Sequence, residues 1–274
     1  MSEEQPSVPV LIRPSGSPSS RSGVFRLLVI PFAIYSIWMI VTALFEGDAR
    51  LFQIPDFTGI IVYTGMACII TGMILPIYCV RESFVTGAVN MFQIGFNSTR
   101  RTIFASILTI LFGYPVMMFF SLLGTESFAY IFLLLLPTAI ASVMVCWVLI
   151  GTHVQAFVRE GGIIISIAAG SLVTAWLFCL TSFAHSPPAR LQPSLVGFLV
   201  LGLAAAAFFF AVRDVYATSI FVTFGLAWVM GDRIAISGTP AAMPAVYASA
   251  FLAVFTLIGI HRYFLRNFRT VRVP

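Results

Sequence analysis

The chain has 274 residues, of which 59% are hydrophobic and only 9% charged, and its mean hydropathy is +1.02. A soluble globule carries roughly 25% charged residues, so that class is excluded and most of the chain must sit in lipid. The net charge of +5 does not point to nucleic acid, because the cations are scattered at the ends of apolar runs instead of forming one basic domain. All fifteen basic residues are arginine, which excludes a retinal Schiff base or a lysine nucleophile.

Residues 1–22 are rich in serine and proline and poor in bulky apolar groups. Burial cannot offset the entropy of ordering them, so they are expected to form a disordered cytoplasmic tail with no cleavable signal peptide. Apolar runs of about 20 residues then recur, each long enough to cross roughly 30 Å of hydrocarbon as a helix. The expected fold is all-α, a polytopic membrane helix bundle over residues 23–262. About eight transmembrane helices are expected, at 23–45, 58–80, 102–123, 129–157, 163–184, 195–212, 214–231 and 244–262. Pro31, Pro76, Pro115 and Pro137 fall inside these spans, where a missing N–H can kink a helix. Residues 263–274 form an expected basic cytoplasmic tail. There Arg262, Arg266, Arg269 and Arg272 recur every three to four residues, which suits an anionic lipid surface.

Arginine placement orients the bundle, since short cytoplasmic loops keep basic residues. With eight crossings and the N-terminus inside, twelve arginines fall on the cytoplasmic side and only Arg50, Arg190 and Arg233 on the other. Both termini are therefore expected in the cytoplasm, with the cell membrane as the location.

Segment 83–97 resists this count. It belongs to a sixteen-residue block, 81–96, that resembles 213–228 without gaps, beginning Arg81-Glu82 and Arg213-Asp214. Duplicated halves commonly frame a transport path, so the block suggests two related units, 23–123 and 163–262, linked by the span 129–157. If 83–97 crossed as its counterpart does, the arginine bias would collapse. It is therefore expected as a half-helix or an interfacial helix. Each charged pair reads as a topology anchor in a cytoplasmic turn, or as a coupling group at the membrane boundary. Asn90, Gln93 and Asn97 fall three and four residues apart and would form one polar stripe on a helix, lining a cavity or facing water.

No metal cluster, P-loop, G-x-S-x-G or H-E-x-x-H pattern is present in the sequence, so no catalytic, cofactor or metal site is expected. The four cysteines, Cys68, Cys79, Cys146 and Cys179, read as small buried apolar residues.

The stretch from Val215 to Trp228 resembles the acetate uptake transporter family. It preserves the aromatic, hydroxyl, phenylalanine, aromatic-glycine and tryptophan positions that follow that family's second helix, and Phe84 to Phe96 preserves fewer. The family's Asn-Pro-Ala-Pro-Leu-Gly-Leu signature near the first helix is absent here, and its six-helix count differs. The resemblance implies passage of a small monocarboxylate, with Tyr216, Phe224, Gly225 and Trp228 as pathway residues. Thr218 and Thr223 join them as hydroxyls on the same span. The expected function is thus passage of a small solute. A non-transporting subunit of a membrane complex or homo-oligomer is the alternative, and a membrane-embedded enzyme the third reading.

Overall fold

The computed structural model describes residues 21–46, 51, 56–120, 125–184, 192–230 and 243–268. In chain order the helices are α1 (21–46), α2 (Phe57–Val85), the single-turn α3 (Met91–Ile94), α4 (Thr99–Phe120), α5 (125–157), α6 (Ile163–Thr181), α7 (Gln192–Val212), α8 (Val215–Met230) and α9 (Met243–Phe268). No strand occurs among the described residues, and six helices, α1, α2, α5, α6, α7 and α9, are long and apolar enough to cross a membrane. Helix α8 is apolar but shorter, at 16 residues. The outer surface is itself apolar: Leu44, Phe112, Ile163 and Ile164 expose 77, 69, 75 and 80% of their area. Such a surface is stable in lipid and not in water, and the chain is an all-α membrane helix bundle.

Polar contacts fix the direction of each helix. At one end, Ser83 of α2 meets His153 of α5, Thr102 of α4 meets Asp214 before α8, and His261 of α9 meets Asn97. At the other end, Tyr63 of α2 bonds Thr138 of α5, and Thr64 bonds Ser249 of α9. The long helices therefore alternate in direction, and segment 86–98 leaves and returns at the same end. Arg26, Arg81, Arg100, Arg101, Arg159, Arg213, Arg262 and Arg266 all gather there.

Helix α5 is the hub. Its span is 89% buried inside the protein, against 33 to 56% for the other spanning helices, and α1, α2, α6, α8 and α9 pack around it. Lipid tails are as apolar as leucine, so close van der Waals contact and polar pairing, not escape from water, hold such helices together. Small residues permit the approach. A Cβ on Gly72 would lie 2.5 Å from Cβ of Ala141 on α5, and one on Gly202 would lie 3.2 Å from Cα of Ala175 on α6.

Three helices widen locally to i→i+5 turns, over 25–29, 64–74 and 143–151. In α1 the Ile30 N–H reaches back to Phe25 O, and in α2 the Leu75 N–H reaches Ile70 O. In both, the next residue is a proline, Pro31 or Pro76, whose missing N–H and bulky ring disrupt the ordinary ladder. Of the four prolines expected to perturb their helices, Pro31 and Pro76 thus widen the preceding turn, whereas Pro115 and Pro137 lie within regular α-helix.

Several expectations change. The tail expected over 1–22 lies outside the described residues except at its end, where 21 and 22 already belong to α1. Of the basic tail, 263–268 continues α9 and the remainder lies outside the described residues. The two copies of the repeated block follow different paths. Arg81 and Glu82 are exposed within α2, which continues to Val85, whereas Arg213 and Asp214 form a buried link between α7 and α8.

Gly72→Ala should lower stability by about 1–3 kcal/mol through overpacking against Ala141. Ala141→Gly in the same chain should restore part of that loss, as thermal unfolding in micelles of the single and double variants would show.

Candidate functional site

Segment 86–98 folds by local rules. After α2, Gly87 takes φ 73° and the N–H groups of Ala88 and Val89 return to Ser83 O at 2.9 and 3.3 Å. Asn90 then caps α3: its side chain accepts from Gln93 N at 2.9 Å, and Gln93 Oε1 accepts from Asn90 N at 3.0 Å. Gly95 ends the turn at φ 83°, a left-handed conformation that suits glycine, and a Cβ there would also press on Phe209 Cε2 at 3.1 Å.

This segment docks on the α7–α8 link. Val215 N donates to Gly95 O at 3.2 Å, Arg101 donates to Val212 O at 2.9 Å, and the Asn97 amide donates to Arg213 O. These bonds satisfy backbone groups that the end of one helix and the start of the next would leave orphaned. They also hold Arg213 at φ 53°, a left-handed backbone at a non-glycine residue.

The two charged side chains of the link are buried and point to different partners. Asp214 accepts from Thr102 Oγ1 at 2.7 Å and caps α8 by accepting from Ala217 N at 3.0 Å. The Arg213 guanidinium donates to Gln155 Oε1 at 3.1 Å and Gln93 O at 3.4 Å, and lies 4.8 Å over the Phe210 ring. No carboxylate pairs with it among the described residues. Burial lowers its pKa to about 10, still far above neutrality, so the group keeps its charge. Its partner Gln155 is 3% exposed, and the Gln155 Nε2 donor has no acceptor.

Two histidines join the same end. His261 contacts Asn97 O at 2.8 Å and Tyr216 OH at 3.2 Å, and stacks on Phe96 at 5.4 Å. His153 contacts Leu149 O through Nδ1 at 2.6 Å and Ser83 Oγ through Nε2 at 2.7 Å. The latter is a nucleophile-and-base geometry, but both residues are buried to 1% exposure or less. No substrate carbonyl reaches Ser83, and the contact ties α2 to α5.

Sequence-expected site residues divide accordingly. The polar stripe does not line a cavity: Asn90 and Gln93 spend their amides on capping, and only Asn97 reaches the buried link. Thr218 and Thr223 are buried and bond back to Asp214 O and Ser219 O at 2.7 Å each. Phe224 stacks between Phe128 and Phe132 of α5, Gly225 faces Leu201 of α7, and Trp228 is 56% exposed at the surface. Tyr216 reaches His261. These positions wrap around α8 and do not converge, because 3.6 residues per turn sends neighbours to different faces.

Sequence reasoning missed Gln155 and Thr102, whose polarity is unremarkable until the fold brings Arg213 and Asp214 to them. It also missed Glu46, which lies one residue beyond the expected first span. Glu46 is fully buried at the opposite end of the bundle, where Tyr63 OH donates to it and contacts Thr138 Oγ1 at 2.9 Å. Among the described residues no group of three or more histidine, cysteine or acidic side chains could hold a metal ion.

No family model, no curated protein and no solved structure matches the chain. Asp214→Ala should cost about 2–3 kcal/mol, combining a lost cap with a buried Thr102 hydroxyl left unsatisfied. Thr102→Val should cost about 1 kcal/mol, and the double variant should fall short of the sum in a denaturation-based mutant cycle.

Proposed function

We propose that the chain is a transport protein of the cell membrane, crossing it eight times with both termini in the cytoplasm, and that it passes a small solute of the monocarboxylate class. Alternation of the long helices and the gathering of arginines at one end support the topology. The sixteen residues of α8 rise about 24 Å, enough to cross most of the hydrocarbon.

The observation that carries the functional reading is the buried Arg213 cation, which among the described residues has no carboxylate partner, beside an amide donor of Gln155 that has no acceptor among them. Burying charged and polar groups is expensive, and in a membrane protein such groups commonly mark a substrate or ion pathway. A guanidinium and an amide N–H together match the two oxygens of one carboxylate. They stand where α5 meets α6 and α7 across small residues. Cβ atoms on Gly151 and Gly170 would lie 3.1 and 3.2 Å from Phe210 Cζ. A second unpartnered donor, Trp147 Nε1, lies two turns further along α5, where Trp147 packs on Phe178 of α6 at 5.1 Å.

A second reading, a non-transporting subunit of a membrane complex, has the outward face of α4 on its side. Ile103, Phe104, Ile107, Leu111 and Phe112 are all exposed there. Uptake of labelled lactate into proteoliposomes, at mildly alkaline pH to limit leak of the neutral acid, separates the two. Transport predicts flux above protein-free vesicles, lowered about tenfold by Arg213→Gln, equivalent to losing one charge-assisted hydrogen bond. Absence of flux in the parent protein removes the transport reading and leaves the second.

Topology is checked separately with single cysteines at Asn90 and Arg100 in a background lacking the four native cysteines. A membrane-impermeant maleimide should label both only after cells are permeabilised. Labelling at 100 in intact cells would overturn the eight-crossing arrangement.

A further inference from the structure

Helices α2 and α9 run parallel and pack most closely over 57–74 of α2. Thr64 bonds Ser249 at 2.5 Å deep in the pair. Between them, on the outer face, lies an apolar groove of about 250 Å³ lined by Ile74, Ile77, Tyr78, Gly259, Ile260 and Tyr263. A Cβ on Gly259 would meet nothing within 4 Å, so that glycine leaves open space. Tyr78 is 62% exposed and Tyr263 38% exposed, so the groove opens to the surroundings of the bundle.

What lies beyond the groove identifies its occupant. Arg81 follows Tyr78 by three residues, and Arg266 follows Tyr263 by three, so each arginine stands one turn closer to the arginine-rich end on the same side of its helix. Both are exposed, as is Arg262. Glu82, also exposed, sits about 100° around α2 from Arg81 and leaves the cluster net positive. From membrane depth outward the order is aliphatic wall, two tyrosine rings, then guanidinium groups. That sequence matches an acyl chain, its ester region and an anionic headgroup, with tyrosine at the interface level where its ring is favoured.

We propose that this groove is a specific site for one anionic phospholipid of the cytoplasmic leaflet, its acyl chain between α2 and α9 and its phosphate between Arg81 and Arg266. The site is independent of the solute pathway at Arg213.

Native mass spectrometry of the purified protein in an equal mixture of phosphatidylglycerol and phosphatidylcholine tests it. One phosphatidylglycerol should be retained in preference to phosphatidylcholine. The double variant Arg81→Gln, Arg266→Gln should reduce that preference about thirtyfold, two headgroup contacts at about 1 kcal/mol each being removed. Gly259→Leu should displace the bound lipid whatever its headgroup by filling the groove. An Arg100→Gln, Arg159→Gln control, at two exposed arginines of the same end, keeps the total charge change and should leave the preference intact. Equal retention of both lipids by the parent protein would overturn the proposal. So would a loss in the control pair equal to that in Arg81 and Arg266, or undiminished retention in Gly259→Leu. If Gly259→Leu does not fold, Gly259→Val offers a smaller plug for the same comparison.

Discussion

Between Thr138 and Ala156, helix α5 never meets lipid, and the rest of the bundle is arranged so that it does not have to. This helix carries what hydrocarbon tolerates least. It has a stretch of wide i→i+5 turns over 143–151 and polar side chains at 138, 142, 152, 153 and 155. An unsatisfied polar group in lipid costs several kcal/mol, so a helix of this kind must be jacketed by protein. Part of its polarity is satisfied internally, as when Ser142 and Thr152 bond back to carbonyls one turn earlier at 2.8 and 2.5 Å. The remainder is exported to partners, Tyr63 at one end and Ser83 and Arg213 at the other. Those exported bonds determine which neighbours α5 can have.

The α7–α8 link shows how a cation and an anion adjacent in sequence can both be buried without neutralising one another. Asp214 is held by donors that belong to the start of α8 and to α4. Arg213 is held by acceptors of α5 and α3 and by the face of Phe210. Burying each charge is costly, and each is compensated by charge-assisted hydrogen bonds that a different helix supplies. The link therefore couples four elements. The left-handed backbone of Arg213 is sustained because Gly95, Asn97 and Arg101 bond to the carbonyls and N–H on either side of it. Glycine at 95 is required on the opposite side of that contact, where segment 86–98 comes within van der Waals range of Phe209 and Val215.

The fold class was legible because it depends on composition and period. Apolar runs and arginine placement, read along the chain, locate the long helices to within a few residues. The site was less legible, for a reason that Arg81 and Arg213 make plain. Both are arginines followed by an acid at the end of an apolar helix, and local sequence treats them alike. One stays on an exposed helix surface and the other is buried, a difference decided by Gln155, Thr102 and Gly95, which lie 58, 112 and 120 positions away from their partners Arg213, Asp214 and Val215. The stripe of Asn90, Gln93 and Asn97 failed similarly. Its spacing is helical, but the same Asn-x-x-Gln spacing is a capping box, and Gly95 stops the helix after one turn.

The distribution of satisfied and unsatisfied groups then bears on function. Many polar atoms of the bundle are paired, as in the capping of α3 and α8, but among the described residues Thr42 Oγ1, Tyr130 OH and Ser182 Oγ are buried without a partner. Along the face that α5 turns to α6 and α7, two donors, Trp147 Nε1 and Gln155 Nε2, are buried without acceptors. Each such group costs about 1–3 kcal/mol. Replacing Trp147 with an apolar ring would remove that cost, whereas Gln155 also holds the Arg213 guanidinium through Oε1 at 3.1 Å. The neighbouring positions are glycine, alanine and threonine at 151, 170, 174, 175 and 202, a seam held by close contact and few long side chains. Gly151 and Gly170 against Phe210, and Gly202 against Ala175, make this seam one of close contact. Under the transport function proposed above, a carboxylate held beside Arg213 would supply acceptors both to the guanidinium and to the Gln155 amide, recovering hydrogen bonds that these donors lack among the described residues.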